Sequence, residues 1–377
     1  MMMNKSIYIH IPFCKSKCYY CNFISYTNLN LIDKYIKFLK KEISLYKEDL
    51  LNSNIETIYI GGGTPSVLSA KQISKIIQEI KKYDKLENLK EFTIEINPKT
   101  VNKKKLKEYK NLGINRLSIG LQSTDNEILK KIGRIHTFEI FKKKYKLARD
   151  LGFENISLDL MFGLPGQSID IFKKTLKKVI SLNPEHISAY SLKVEKGTKF
   201  YQLKKENKLN LPSEILDRKM YKSLINILEN NNYNLYEISN FSKKGYKSKH
   251  NLAYWYRNNY FGFGIAAHGF LDSKRYGNFL DFENYFKSIK EGKKPIKSIE
   301  ILNKEEKIFE EIMLGLRLKE GININKLNKK YKIDFLDRYK KVIISLKKQG
   351  VIKLKKNRLF IKKEFFNVSN QIISEFI

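Results

Sequence analysis

The sequence predicts an α/β protein: a partial barrel of six strand–helix units followed by a small C-terminal winged-helix-like α+β domain. Two patterns lead to this prediction. In the first half of the chain, short apolar segments alternate with amphipathic helical segments, as in parallel sheets with helical crossovers. After about residue 205 the alternation stops, and residues 303–377 hold helical segments followed by short strand-like ones.

The first half contains six predicted strands. Several are apolar almost throughout, which is typical of strands that are covered on both faces. Six units are too few for a closed eight-unit barrel, so we expect a partial one. The predicted strands span residues 6–12, 56–63, 91–98, 116–122, 155–165 and 186–194.

Helices fit between these strands. The segment 31–43 carries one apolar stripe at helical spacing, formed by Ile32, Tyr35, Ile36, Leu39 and Ile43. Residues 212–231 form a second predicted helix with a proline at its start, and the lysine-rich segment 290–298 is a predicted linker. The chain is therefore divided into a barrel (1–205), a barrel extension (206–295) and a C-terminal domain (300–377).

The charge of the chain raises the question of a polyanionic partner. The formal net charge is +34, but 64 of the 73 basic residues are lysines and only 9 are arginines. Surfaces that read bases favour arginine, whose guanidinium grips guanine or phosphate in two places. We interpret the lysines as solvated faces and expect no specific nucleic-acid partner.

Membrane and secretory signals are missing from the sequence. No apolar run reaches the roughly 18 residues of a membrane-spanning helix, and the first residues, MMMNKS, lead directly into a predicted strand. Three cysteines do not suggest a secreted disulfide scaffold. We expect a cytoplasmic protein that is not integral to a membrane.

All three cysteines lie within eight positions, at Cys14, Cys18 and Cys21. A structural zinc site needs four ligands, and His10 is the only nearby candidate for the fourth. A disulfide would leave one thiol unpaired. Three thiolates suit a 4Fe–4S cluster that keeps one iron open for an outside ligand.

Polar residues mark the ends of several predicted strands. The sequence GGGTP (61–65) follows the second strand, and its glycines let the backbone approach a ligand closely. Glu95, Gln122 and Asp159 lie in or at the end of the next three strands. Because active sites of such folds gather at the carboxyl ends of the strands, these residues are expected to share one mouth.

The cysteine spacing resembles a known superfamily. Cys14, Cys18 and Cys21, with Tyr20 before the third cysteine, match the CxxxCxxC signature of radical S-adenosylmethionine (SAM) proteins. The resemblance implies a 4Fe–4S cluster whose open iron binds the amino and carboxylate groups of SAM. It also implies reductive cleavage of SAM to methionine and a 5′-deoxyadenosyl radical.

The resemblance extends to one family. YIHIPFC, GGGTPS, EINP, LSIGLQS and DLMFGLPGQ are similar to the oxygen-independent coproporphyrinogen III oxidase family and its HemW-type heme chaperone branch, from about residue 6 to 270. By this resemblance, cluster-bound SAM is contacted by Tyr8, Gly62 and Glu95. A second SAM-like site is lined by Tyr20, Gly63, Thr64, Gln122, Arg134 and Asp159.

Two departures point to the chaperone branch. The oxidase has a further cysteine where this chain has Phe23, and it has a long segment before its cysteines where this chain has thirteen residues. HNLAYW (250–255) resembles the HNxxYW heme-chaperone motif. Since imidazole is a common heme ligand, His250 is the predicted axial ligand, with Lys247 and Lys249 near the propionates and His268 as a second candidate.

The leading hypothesis is a carrier that binds heme, a 4Fe–4S cluster and SAM and delivers heme to an apoprotein, such as a membrane-associated respiratory enzyme. The alternative is an enzyme that decarboxylates coproporphyrinogen III. A third hypothesis, radical modification of tRNA, rests on the basic charge and the winged-helix-like segment. The sequence leaves open whether the chain forms a homodimer.

Overall fold

The computed structural model describes residues 3–377, with the side chain of Met3 left out. Six parallel strands form its centre, in the order in which they occur in the chain. This confirms all six predicted strands. They are β1 (Met3–Ile11), β2 (Ser53–Gly62), β3 (Glu91–Ile96), β4 (Arg116–Gln122), β5 (Ile156–Phe162) and β6 (His186–Ser191).

Eight helices connect or follow these strands. In the first, the predicted stripe is confirmed, because all five of its residues are buried against the sheet. Burial of apolar side chains on both faces explains why the strands are apolar almost throughout. The helices are α1 (Ile32–Ser44), α2 (Lys47–Leu51), α3 (Ala70–Lys81), α4 (Lys103–Asn111), α5 (Asn126–Lys131), α6 (Phe138–Asp150), α7 (Ile169–Ser181) and α8 (Lys199–Lys205).

The segment after residue 205 widens the same sheet at both edges, to twelve strands. Two strands continue beside β6, and four continue beside β1, the first of them parallel to β1. The predicted helix 212–231 is confirmed as α9. The elements are α9 (Glu214–Glu229), β7 (Asn234–Glu237), β8 (Asn240–Ser242), α10 (Lys249–Trp255), β9 (Tyr260–Phe263), β10 (His268–Leu271), β11 (Lys274–Asn278), α11 (Phe282–Lys290) and β12 (Ile296–Ile301).

The predicted linker 290–298 is wrong in its last three residues. Residues from Ile296 onward pair with β11 as the edge strand β12, with Tyr276 opposite Ile299. Lysines and a proline suggested a linker, but lysine is also common on exposed sheet edges, where it discourages pairing with other chains. The division into three domains stays a proposal.

The C-terminal part is a small separate unit with a three-stranded sheet of its own, in the order β13–β15–β14. Helices precede a two-stranded hairpin, as expected for a winged-helix-like domain, and a final helix follows that was not predicted. The elements are α12 (Lys304–Gly315), β13 (Ile322–Asn323), α13 (Ile324–Tyr331), α14 (Phe335–Arg338), α15 (Lys340–Lys348), β14 (Ile352–Lys355), β15 (Arg358–Ile361) and α16 (Ser369–Ser374).

A buried ion pair joins this unit to the barrel extension. Glu310 of α12 accepts hydrogen bonds from Arg257, which follows α10, and from Arg275 of β11. The side chains of Glu310 and Arg257 are only 5% and 8% exposed. Arg257 also packs on the ring of Phe270, 4.8 Å from its centroid.

A buried carboxyl organises the other side of the sheet. Glu42 of α1 accepts hydrogen bonds from the Gly264 amide, the Tyr285 hydroxyl and the Asn278 side chain. Burial raises its pKa to about 7, although these hydrogen bonds oppose the shift. One acid thus ties α1 to β11, α11 and the turn after β9.

Within residues 3–377, no helix is both long and apolar enough to cross a membrane.

Loss of Glu310 is expected to loosen the C-terminal unit. Glu310→Ala removes the nearest partner of the buried Arg257 charge and leaves only Glu311, at 3.8 Å; it should cost about 3 kcal/mol in unfolding free energy. The control is Glu300→Gln, which removes the exposed partner of Arg275 and should cost about 0–1 kcal/mol. Urea unfolding measures both costs. Equal costs for the two variants would contradict a stabilising role of the buried Glu310–Arg257 pair.

Glu42 makes stability depend on pH. Its folded pKa of about 7 lies above the ordinary value of 4.5, so the folded state retains a proton that the unfolded chain has already released. The resulting stability is fully present below pH 4.5 and is lost as the pH rises through about 7. Glutamine at position 42 does not titrate. The unfolding free energy of wild type should therefore fall relative to that of Glu42→Gln as the pH rises from about 4.5 to about 7. Glu283→Gln, at an exposed carboxyl, serves as the control. If the unfolding free energies of wild type and Glu42→Gln changed in parallel with pH, this role for Glu42 would be excluded.

Candidate cluster and cofactor site

The cysteine loop begins where β1 ends. The Tyr26 amide donates to the Pro12 carbonyl (2.9 Å), and the Cys14 amide donates to the Tyr26 carbonyl (3.0 Å), so the segment between them closes into a loop. Within it, the Cys21 amide donates to the Cys18 carbonyl at 3.2 Å. Cys14 is buried, while Cys18 and Cys21 are half-buried. Three thiols therefore face one region from a single fixed turn.

The surroundings of the thiols fit an iron–sulfur cluster. The pKa of Cys14 and of Cys21 is raised, first by burial and further by the charges of the neighbouring thiols. Thiolates crowded in this way are stabilised by bound iron, which favours the deprotonated ligand. Among residues 3–377, no three His, Cys, Asp or Glu side chains gather tightly enough for a single ion.

The glycine turn after β2 lies against the cysteine loop. The Gly63 amide donates to the Ile11 carbonyl (3.0 Å), and the Thr64 amide donates to the Phe13 carbonyl (2.8 Å). A β-carbon on Gly63 would lie 2.7 Å from the Phe13 oxygen and 3.1 Å from the Cys14 sulfur. Glycine is thus required at position 63 by the close approach of two backbones. Thr64 Oγ1 also contacts Cys14 Sγ at 3.3 Å.

Glu95 lies beneath this turn. Its carboxylate accepts from the Gly62 amide (3.1 Å) and from the Tyr59 hydroxyl (2.8 Å). Burial raises its pKa to about 7, and the charge of Asp159 adds to the shift. Gly62 has φ of +111°, and a β-carbon there would lie 2.6 Å from the His10 ring. A buried acid beside a glycine amide can hold a cationic amino group of a ligand.

Tyr8 reaches the same region through His10. The Tyr8 hydroxyl lies 2.9 Å from His10 Nδ1, and His10 Nε2 lies 3.0 Å from the Ile24 carbonyl. His10 therefore orders the cysteine loop and makes both ring contacts within the protein. This leaves it unsuited to be a fourth cluster ligand.

Arg134 approaches the loop from the other side. Its guanidinium donates to the Gly120 carbonyl and lies 3.6 Å from Cys18 Sγ. Within the described chain, its buried Nε has no partner. Burial opposes the shift, but the neighbouring Tyr20 and Cys18 side chains raise the Arg134 pKa, and the Gln122 amide lies at the same strand end, beside Gly120. A second SAM-like site at these residues stays a proposal.

Asp159 occupies the interior of the barrel beside β4. Its carboxylate accepts from the Ser118 hydroxyl at 3.0 Å and from Ser157 at 3.4 Å. Burial raises its pKa. It is close enough to Glu95 to influence the pKa of that residue, so the two acids share the same interior. The structure thus gathers the predicted cysteines and SAM residues at one end of the barrel.

His250 lies at the opposite end. It is 1% exposed in α10, and its ring nitrogens contact Thr57 Oγ1 (2.7 Å) and the Tyr254 hydroxyl (2.8 Å). Burial lowers its pKa to about 3. Neither nitrogen is free, so ligation of heme by His250 requires one contact to break. His268, Lys247 and Lys249 are exposed, and Trp255 is half-buried below the Arg317 guanidinium.

Sequence reasoning missed the interior residues that link these groups. Tyr59 contacts both Glu95 and His250. Arg116 is buried, and its positive charge acts to lower the pKa of Glu95, Asp159 and His250. The only signal for Tyr59 was its position three residues before the second glycine of GGG, in the middle of an apolar strand. A polar tip in such a strand calls for a buried partner.

Replacement of Gly63 tests the packing of the two loops. In Gly63→Ala the added methyl would displace the cysteine loop, so iron incorporated on anaerobic reconstitution should fall to roughly half of wild type or less. Cys18→Ser is the reference for full loss of the cluster. Ser16→Ala, at an exposed position of the same loop, should incorporate iron normally. Normal iron in Gly63→Ala would refute the need for close approach.

The chain matches two family descriptions. Residues 8–179 match the radical SAM superfamily, and residues 302–364 match the HemN C-terminal domain. A solved structure with the same fold, the coproporphyrinogen III oxidase HemN from Escherichia coli described as a radical SAM enzyme, superposes with a TM-score of 0.87 at 21% identity. The superposition covers 99% of this chain and 90% of that one.

Two curated relatives match over nearly the full length, and a third over about 70% of it. The proteins named heme chaperone HemW are 37% identical in Bacillus subtilis, over 99% of both chains, and 38% identical in Lactococcus lactis, over 99% of this chain and 97% of the relative. The relative of that name in Escherichia coli is 37% identical over 70% of this chain and 69% of its own length. The chain therefore belongs to the radical SAM superfamily and, within it, to the HemW family.

Proposed function

We propose that this protein binds heme and delivers it to an acceptor apoprotein, with a 4Fe–4S cluster and SAM held at the mouth of its barrel. The observation that carries the proposal is the identity of 37–38% to two proteins named heme chaperone over at least 97% of each chain. Phe23 supports the proposal, because the coproporphyrinogen III oxidase that this sequence resembles has a further cysteine at the position of Phe23. The Phe23 side chain is 63% exposed, next to the cysteine loop.

The cluster is assigned to Cys14, Cys18 and Cys21, and SAM to the pocket of Gly62 and Glu95. When bound and reduced, a cluster of this kind supplies an electron that can cleave SAM. The contribution of the protein is orientation. Glu95 offers a carboxylate to an amino group, and the glycine backbone lets the ligand approach closely. Tyr59 holds Glu95 in place through a hydrogen bond.

Coproporphyrinogen III decarboxylation is the second candidate. The observation that favours it is the fold shared with HemN over 99% of this chain, together with an intact cluster mouth. A fold supports many activities, so this similarity ranks below the full-length relatives.

Heme is assigned to the HNxxYW segment, with His250 as its axial ligand. Because the Tyr254 hydroxyl contacts His250 Nε2, heme must displace Tyr254 from that nitrogen. Lys247 and Lys249 are exposed at the start of α10 and are suited to the propionates. We further propose that the chain works in the cytoplasm and that its acceptor is a respiratory apoprotein at the membrane.

One anaerobic experiment separates the two candidates. Reconstituted protein receives heme and coproporphyrinogen III, with SAM and a reductant, and heme absorbance and released CO2 are followed. We expect stoichiometric heme binding and transfer to an added apoprotein, without CO2. Released CO2 would favour the oxidase, and absence of heme binding would remove the chaperone proposal.

Variants of the HNxxYW segment test the ligand. Tyr254→Phe removes the competing hydroxyl and should tighten heme binding by about tenfold, since one hydrogen bond to the imidazole no longer has to break. His250→Ala should abolish the axial-ligand band in the heme spectrum. His268→Ala tests the second candidate and should leave this band unchanged, because only His250 is assigned as the ligand. Equal heme spectra in wild type and His250→Ala would exclude His250 as the ligand.

A further inference from the structure

The HNxxYW helix closes the floor of the barrel. Glu91, the first residue of β3, accepts hydrogen bonds from the Lys249 amide (2.8 Å), the His250 amide (3.1 Å) and the Ser248 hydroxyl (3.2 Å). The N-terminus of α10 therefore docks on a carboxylate at the amino end of the sheet. The cluster mouth lies at the other end, where Gly62 closes β2.

The hydrogen bonds of His250 define its tautomer. Thr57 Oγ1 donates to Ser6 Oγ at 2.8 Å, so it accepts from Nδ1–H of His250. The remaining nitrogen, Nε2, then accepts from the Tyr254 hydroxyl. Both edges of the imidazole are fixed, and its pKa of about 3 keeps it neutral. The plane of the ring is consequently held in one orientation.

A continuous column leads from this ring to the cofactor pocket. The imidazole stacks on Tyr59, with ring centroids 5.1 Å apart and planes inclined by 26°. The Tyr59 hydroxyl donates to Glu95 at 2.8 Å, and Glu95 accepts from the Gly62 amide at 3.1 Å. The contacts connect the floor of the barrel to its mouth through two side chains.

We infer that His250 is a positioning residue for the SAM pocket: its ring fixes Tyr59, and Tyr59 directs the Glu95 carboxylate toward the ligand. This role rests on the proposed binding of SAM at Gly62 and Glu95. It is separate from heme ligation, because it uses the face of the imidazole, whereas a heme iron would use Nε2.

A purely structural role predicts something different. Any buried ring at position 250 would then matter only for stability, and loss of the ring would lower the melting temperature without a specific effect on SAM. Positioning predicts an effect on SAM affinity that passes through Tyr59. Three kinds of variant separate the two: one that removes the ring, one that keeps it, and one that breaks the next contact.

The variants are His250→Ala, His250→Phe and Tyr59→Phe, with the double variant His250→Ala/Tyr59→Phe. His250→Phe keeps a flat ring against Tyr59 but has no nitrogens. Tyr59→Phe keeps the stacking and removes the hydrogen bond to Glu95. The matched control is Tyr285→Phe, which removes another buried hydroxyl that donates to a carboxyl, Glu42, away from the cofactor pocket.

SAM dissociation constants are measured by calorimetry on anaerobically reconstituted protein, together with the iron content and melting temperature of each variant. His250→Ala and Tyr59→Phe should each weaken SAM about tenfold. The double variant should be no weaker than the worse single one, because both act on the same carboxylate. The SAM dissociation constant of His250→Phe should stay within about threefold of the wild-type value. That of Tyr285→Phe should equal the wild-type value.

Three results would overturn the inference: wild-type SAM affinity in His250→Ala, an additive loss in the double variant, or an equal loss in Tyr285→Phe. If His250→Ala fails to fold, His250→Leu takes its place: leucine fills much of the buried volume without a flat ring, so wild-type SAM affinity in that variant would overturn the inference. If wild-type protein with a full cluster binds no SAM, the proposed SAM site at Gly62 and Glu95 is wrong. The positioning role of His250, which rests on that site, is then wrong as well.

Discussion

The close approach of the glycine turn after β2 to the cysteine loop after β1 is the constraint on which the rest of the structure depends. Two short backbone hydrogen bonds hold the loops together, and Gly63 leaves no room for a side chain between them. The same turn supplies the Gly62 amide that meets Glu95. A single backbone arrangement thus sets the position of the thiols and of the acid that faces a bound ligand.

The barrel interior is organised by polar side chains rather than by apolar packing. Glu95, Asp159 and Arg116 occupy the space between the parallel strands, and each acid has hydroxyl or amide donors around it. Buried charge of this kind is tolerated only where hydrogen bonds or a ligand compensate it. The HNxxYW helix completes the interior from below, so a motif associated with heme is connected to the cofactor side of the protein through Tyr59 and Glu95.

Local patterns predicted much of this arrangement. Continuous apolar runs identified the six strands, and the cysteine spacing and the glycine run identified the mouth. The strands β9 to β12 were not predicted, because segments such as YFGF and HGFL are short and rich in glycine. The location of His250 depends on Glu91, Thr57 and Tyr59, which are far away in the chain, so the motif alone suggested an accessible ligand where the fold buries one.

The most direct test of this account is the electron paramagnetic resonance spectrum of the anaerobically reconstituted, reduced protein, recorded with and without SAM. We expect the signal of a reduced 4Fe–4S cluster whose g-values change when SAM is added, because one iron is free to bind it. A protein that holds zinc in place of iron, or a cluster signal that SAM leaves unchanged, would contradict it.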